Sequence, residues 1–255
     1  ILTKEGFTVS DIRPEPPDKR ADLRLRFGRE EYVLEAKLRQ PHAGWHELMA
    51  QVYQNGYGST SRQIRPWNAL SSTIMEAHDQ LVATPAGTTA FRILWLVAFH
   101  DDDEFVISCV EKRLLGSVDV VPIDAQTLTI GETKACYYYT SNDFERCTGI
   151  DAAVLGTRRG GTLFVNYFSD RREAFRNTKL HDMFAKRRAV VDPEVAVASG
   201  WAFMIGREFA GPRDGRAQWQ YLKDRYGVTT TVMQEFEFTG RAVVPVEELK
   251  PREPT

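Results

Sequence analysis

The sequence predicts an α/β fold over its first half and an α+β extension over its second, and three stretches predict it. The first is ADLRLRFGREEYVLEAKL, from Ala21 to Leu38, where two alternating runs flank Gly28. The second is FRILWLVAFH, from Phe91 to His100, almost continuously apolar, as a strand is when helices cover both faces of its sheet. The third is a change of pattern near Ala125, after which short strand candidates alternate with turns.

In order along the chain, Ile1 to Phe7 reads as the end of a helix stopped by Gly6, and Pro14 to Arg20 as a loop because of its prolines. Leu23, Leu25 and Phe27 then share one strand face, with Asp22, Arg24 and Arg26 on the other. Past Gly28, Tyr32, Leu34, Ala36 and Leu38 take one face and Val33, Glu35 and Lys37 the opposite one. A β-hairpin follows, with a carboxylate and an ammonium two residues apart on one side.

A hairpin that brings Asp22 near Glu35 can hold a hard divalent cation between two carboxylates, with the Ala36 carbonyl as a third oxygen. Mg²⁺ is the natural occupant, with Mn²⁺ as a substitute. Lys37 beside it can orient a water and stabilise developing negative charge. The competing reading is an ordinary solvated strand face with alternating charges, since Glu-x-Lys is a short motif.

The arrangement of Asp22, Glu35 and Lys37 resembles the PD-(D/E)XK, or restriction-endonuclease-like, nuclease superfamily. The resemblance covers residues 1–125. It implies a mixed sheet flanked by helices, Asp22 and Glu35 holding Mg²⁺, Lys37 assisting the attacking water, and hydrolysis of DNA phosphodiesters. It further implies restriction, repair or anti-phage defence as the setting. Asp22 follows Ala21, whereas the family's Asp often follows Pro; a literal Pro17-Asp18 lies four residues earlier, in the Pro-rich loop. Trp45 to Tyr57 reads as the helix after the hairpin. Gln51 stands on it where RecB-like exonucleases carry a Gln, but Asn55 occupies the position of their Tyr, so Gln51 is either catalytic or a polar helix-face residue.

Further on, Asn68 to Leu81 reads as a helix and the Asp101 to Glu104 acids as the opening of another that leads to Leu114. Ser117 to Ile123 reads as a strand, so that Phe91 to Ile123 makes a strand, helix, strand crossover. Strand candidates in the extension, 126–255, are Lys134 to Tyr139, Ile150 to Gly156 and Gly161 to Phe168, then Val195 to Ile205 and Thr229 to Phe238 around a helix over Gln218 to Tyr226. PREPT at the end reads as a linker or tail.

Nucleic-acid contacts are expected from Arg158 and Arg159 in a hairpin turn, and from Arg171, Arg172, Lys186, Arg187 and Arg188 in the most basic stretch, 170–188. A solvated helix face explains the latter equally well. Tyr137, Tyr138 and Tyr139 are either stacking platforms or a strand's preferred residues. His42 and His46, four apart, lack the order of a zinc protease motif.

Composition bounds these readings. The net charge of −2 gives no bulk attraction to nucleic acid, so any such role rests on local patches. Three cysteines at irregular spacing suit a reducing cytoplasm, and no apolar run is long enough for a membrane span. No signal-peptide pattern opens the sequence, and what precedes Ile1 is left open. No P-loop, dinucleotide fingerprint or nucleophile elbow is present. DNA is the expected substrate; a partner protein, an additional domain and a homo-oligomer are open, as are a non-cleaving docking subunit and a purely structural one.

Overall fold

The computed structural model describes residues 2–12, 20–39, 50–51, 54–55, 58–63, 68–98, 103–122, 127, 129–157, 160–212, 214–228, 231–234 and 238–243. The chain is α/β, with a mixed sheet flanked by helices, and divides into two units: residues 1–39 with 66–235, and residues 40–65 with 236–255.

In the first unit a single 3-10 turn, Leu2–Glu5, takes the place of the expected helix end, and Gly6 closes it at φ 91°. Strand β1 (Thr8–Asp11) pairs antiparallel with β2 (Leu23–Phe27), which pairs antiparallel with β3 (Glu30–Arg39) around Gly28 at φ 57°. The predicted hairpin is present, with Leu23 opposite Leu34. Beyond β3 comes helix α1 (Asn68–Ala83), then β5 (Phe91–Ala98), parallel to β3 with Glu35 opposite Leu94. β8 (Ala152–Gly156) continues the sheet parallel to β5, β9 (Gly161–Val165) folds back antiparallel, and β10 (Val190–Val191) closes the edge, giving the order β1-β2-β3-β5-β8-β9-β10.

Both faces of this sheet are buried, which is why β5 reads as an unbroken apolar run. On one face Val33, Leu94, Leu96 and Phe164 pack with Leu70, Ile74, Ala77 and Leu81 of α1 and with Val110 and Leu114 of α2 (Asp103–Leu115). On the other, Leu25, Tyr32, Leu34 and Ile93 pack with Phe175 of α4 (Arg172–Arg176) and with Leu180 and Phe184 of α5 (Lys179–Ala185). A buried polar cluster pins α1: Arg113 donates to Asp143 (2.6 and 2.7 Å) and to Ser71 Oγ (2.8 Å), and Ser71 donates to Asp143 (2.8 Å). Asp143 opens the short helix α3 (Asp143–Arg146).

Three expectations are corrected. The boundary near Ala125 does not separate two sheets, because β8, β9 and β10 from the later half hydrogen-bond onto β5 from the earlier one. Nor is Phe91 to Ile123 a crossover within one sheet. β6 (Val118–Pro122) belongs to a separate four-stranded sheet with β7 (Lys134–Tyr137), β11 (Ala202–Met204) and β12 (Thr231–Gln234), antiparallel to β7 and β12. Gly116 redirects the chain there: it sits at φ 55°, and a Cβ on it would lie 2.3 Å from the Thr140 carbonyl oxygen. Thirdly, Val195 opens no strand. Asp192 caps helix α6 (Pro193–Ala198) by accepting from the N–H groups of Glu194 and Val195, with Pro193 in the first turn, and only Ala202–Met204 is extended. Helix α7 (Gly215–Tyr226) follows as expected.

In the second unit β4 (Gly58–Gln63) pairs antiparallel with β13 (Phe238–Val243), Gly58 opposite Val243. Residues 50, 51, 54 and 55, in the stretch read as the helix after the hairpin, are helical and belong to this unit. Among the described residues no helix is long and apolar enough to cross a membrane.

Candidate functional site

Strand β3 is ten residues long and β2 only five, so the paired register of β2 with β3 stops at Leu34, opposite Leu23. On its other side β3 stays paired with β5 as far as Arg39. From Glu35 onward this side of β3 therefore has no strand partner among the described residues, and Asp22, just before β2, stands beside it. The Asp22 N–H donates to the Leu34 carbonyl (3.1 Å), and the Ala36 N–H donates to Asp22 Oδ2 (2.8 Å). N–H and C=O of one strand residue point to the same side, so the Ala36 carbonyl also faces this edge. Ala36 and Asp22 are exposed.

Alternation turns Glu35 and Lys37 toward the face covered by α1. Glu35 is 2% exposed, and its Oε1 lies 2.8 Å from Lys37 Nζ. Its other oxygen, Oε2, is buried and has no hydrogen-bond partner. Burial raises the Glu35 pKa above the usual carboxylate range; Lys37 pulls it back, while the negative charge of Asp22 pushes it further up. Asp22 comes one residue before Leu23 and Glu35 one residue after its cross-strand partner Leu34, so both side chains fall on the same side of the sheet.

Lys37 has a second partner that sequence reasoning missed. Gln80 Oε1 accepts from Lys37 Nζ at 2.7 Å. One turn later Thr84 Oγ1 accepts from the Ala21 N–H (2.7 Å) and donates to the Gln80 carbonyl (2.7 Å). Ala77, Gln80, Leu81 and Thr84 stand at i, i+3, i+4 and i+7, and two polar residues on that otherwise apolar stripe were the available signal. The glutamine singled out from sequence, Gln51, is helical and exposed and lies in the other unit, so it has no established relation to this site.

The donor set fits a hard divalent cation on one observation: a fully buried carboxylate oxygen, Glu35 Oε2, has no partner, with the Asp22 carboxylate on the same side of the sheet and the Ala36 carbonyl on the strand edge that Asp22 adjoins. Asp22, Glu35 and the Ala36 carbonyl would hold Mg²⁺. Among the described residues no group of three or more His, Cys, Asp or Glu side chains gathers, so water would complete the shell.

The basic stretch behaves differently from a row of free cations. Arg171 pairs with the buried Asp151 and donates to the Ala90 carbonyl, with its guanidinium over the Phe91 ring. Arg172 pairs with Glu194 (3.0 Å), and Arg176 with Asp192 (2.7 Å) and Glu194 (2.5 Å). Lys186 pairs with Asp182 (2.7 Å) and Arg187 with Glu5 (2.5 Å). Arg188 is exposed, with no ion pair or side-chain hydrogen bond among the described residues. Tyr137 and Tyr138 are buried, which removes them as stacking platforms. Arg158, Arg159, Asp18, His42 and His46, the acids Asp101 and Asp102, and the terminal PREPT lie outside the described residues. Comparison with protein-family models, curated proteins and solved structures yields no match.

Proposed function

We propose that this chain is a Mg²⁺-dependent nuclease of the PD-(D/E)XK type, hydrolysing DNA phosphodiester bonds. The observation that carries the reading is the buried, unpartnered Glu35 Oε2, beside Asp22 and on the same side of the sheet as Lys37. A cation held there would supply Lewis-acid polarisation of a phosphoryl oxygen and a more acidic water. Lys37, braced by Gln80, supplies a fixed positive charge where negative charge develops on the phosphate. The exposure of Asp22 and Ala36, beside the buried Glu35, gives a phosphodiester room to approach. Mixed strand order and helices on both faces are compatible with a restriction-endonuclease-like core comprising β1, β2, β3, α1 and β5.

Incubating supercoiled plasmid and linear duplex DNA with the protein and Mg²⁺, against the Glu35→Ala variant, tests the reading. Cleavage that needs both Mg²⁺ and Glu35 upholds it. Cleavage unaffected by Glu35→Ala, or no cleavage of either DNA with Mg²⁺ or Mn²⁺, defeats it.

A further inference from the structure

Away from the hairpin, a cavity of about 470 Å³ opens between α5, β10, α6 and β7, within the size range of small-ligand sites. Val191, Val195 and Tyr137 give it apolar walls, Trp201 lines it while 68% exposed, and His181 and Arg188 supply polar groups. Burial lowers the His181 pKa, so the imidazole is neutral at pH 7 and both donates and accepts. Asp192 also lines the cavity, but its carboxylate is engaged by Arg176 at 2.7 and 2.8 Å.

Arg188 is placed there against backbone preference. The Ala189 N–H donates to the Phe184 carbonyl (3.1 Å) and the Arg188 N–H to the Ala185 carbonyl (2.9 Å), the bonding pattern of a Schellman helix end. Arg188 holds the left-handed position of that motif at φ 54°, where glycine is the usual residue. A non-glycine residue retained in such a conformation is a mark of functional sites. In this case it sets a guanidinium without an ion pair among the described residues at the rim of an apolar cavity that also holds an exposed indole.

We infer that this cavity binds a nucleotide, its base against Trp201 and its phosphate on Arg188. An indole offers a flat stacking face to any base, and a guanidinium matches phosphate geometry through paired N–H donors. The apolar walls accept the base and the neutral His181 meets its polar edge. The nucleotide is either free or an unpaired residue of a strand. The inference is independent of the nuclease reading, because it uses none of Asp22, Glu35 or Lys37.

Calorimetric titration of the full chain with deoxyadenosine 5′-monophosphate, deoxyadenosine, inorganic phosphate and the hexanucleotide of deoxyadenylate tests it. The monophosphate should bind more tightly than the nucleoside or phosphate. Trp201→Ala should weaken nucleotide and nucleoside by about tenfold, as expected for a lost base stack. Arg188→Gly should weaken the monophosphate by about tenfold and leave the nucleoside unchanged, while keeping or raising Tm, because glycine suits the left-handed turn. Lys37→Ala should bind the monophosphate like the parent. Tighter binding of the hexanucleotide assigns the cavity to a strand, and equal binding to a free nucleotide; both uphold it. Unchanged affinity in Trp201→Ala and Arg188→Gly, or affinity lost in Lys37→Ala instead, overturns it.

Discussion

Lys37 Nζ lies 2.8 Å from Glu35 Oε1 and 2.7 Å from Gln80 Oε1, so the ammonium is held between a strand neighbour and a helix. It is only partly exposed and does not depend on solvent for its orientation. Lys37→Ala should lower Mg²⁺-dependent DNA cleavage by about 10²–10³-fold, the scale on which a preorganised charge-stabilising donor acts. Gel-based cleavage rates measure the loss, and an unchanged far-UV spectrum shows that the fold is intact.

Glu35 sets a pH dependence whose sign is fixed by its raised pKa. The folded protein holds this proton more tightly than the unfolded chain, so the contribution of Glu35 to stability declines as pH rises from about 4.3 through its folded pKa. A cation on Glu35 would compete with that proton. Mg²⁺ should therefore raise Tm more at pH 8 than at pH 5, and Glu35→Gln should remove the difference. Thermal melts across that range with and without Mg²⁺ read it directly.

Under the proposed function, Gln80 acts as a positioning residue for Lys37, whose ammonium it accepts from. Gln80→Ala should slow cleavage by about tenfold, within the range of lost orientation effects, and change stability by about 1 kcal/mol. Gln80→Glu keeps an acceptor for Lys37 and should recover part of the rate. A shift in kcat with KM unchanged distinguishes orientation from DNA affinity.

Arg171 and Arg188 should separate in behaviour although both belong to the basic stretch. Arg171 neutralises Asp151, which is 1% exposed, so Arg171→Met should cost about 3–5 kcal/mol by leaving a buried carboxylate unpaired. Arg188→Gly should leave chemical denaturation unchanged or shift it to higher denaturant. Urea unfolding midpoints compare them, and neither result requires DNA.

The hairpin and the buried strand were legible because period-two alternation over Leu23 to Lys37 and the unbroken run over Phe91 to Ala98 are direct images of how many faces each strand buries. What escaped was non-local. Nothing local in Phe91 to Ile123 distinguishes one sheet from two; the left-handed Gly116 decides it by turning β6 toward β7. The basic stretch looked like a DNA-facing patch because its partners, Asp151, Asp192, Glu194 and Glu5, are distant in sequence or lie beyond the run. Val195 read as strand since β-branched residues favour strands, but the Asp192 cap with Pro193 overrode that preference.

The five-residue overhang of β3 beyond β2 also bears on solubility. A bare strand edge is a template for pairing with another chain, and such edges are commonly blunted by charge. Asp22 does this by accepting the Ala36 N–H itself, so the carboxylate that would hold a cation also does the work of a strand partner at that position. Asp22→Ala would strip both at once, and turbidity in that variant would be mistaken for a requirement for metal. Asp22→Asn keeps an oxygen for the Ala36 N–H while removing the charge, and is the substitution that separates self-association from catalysis.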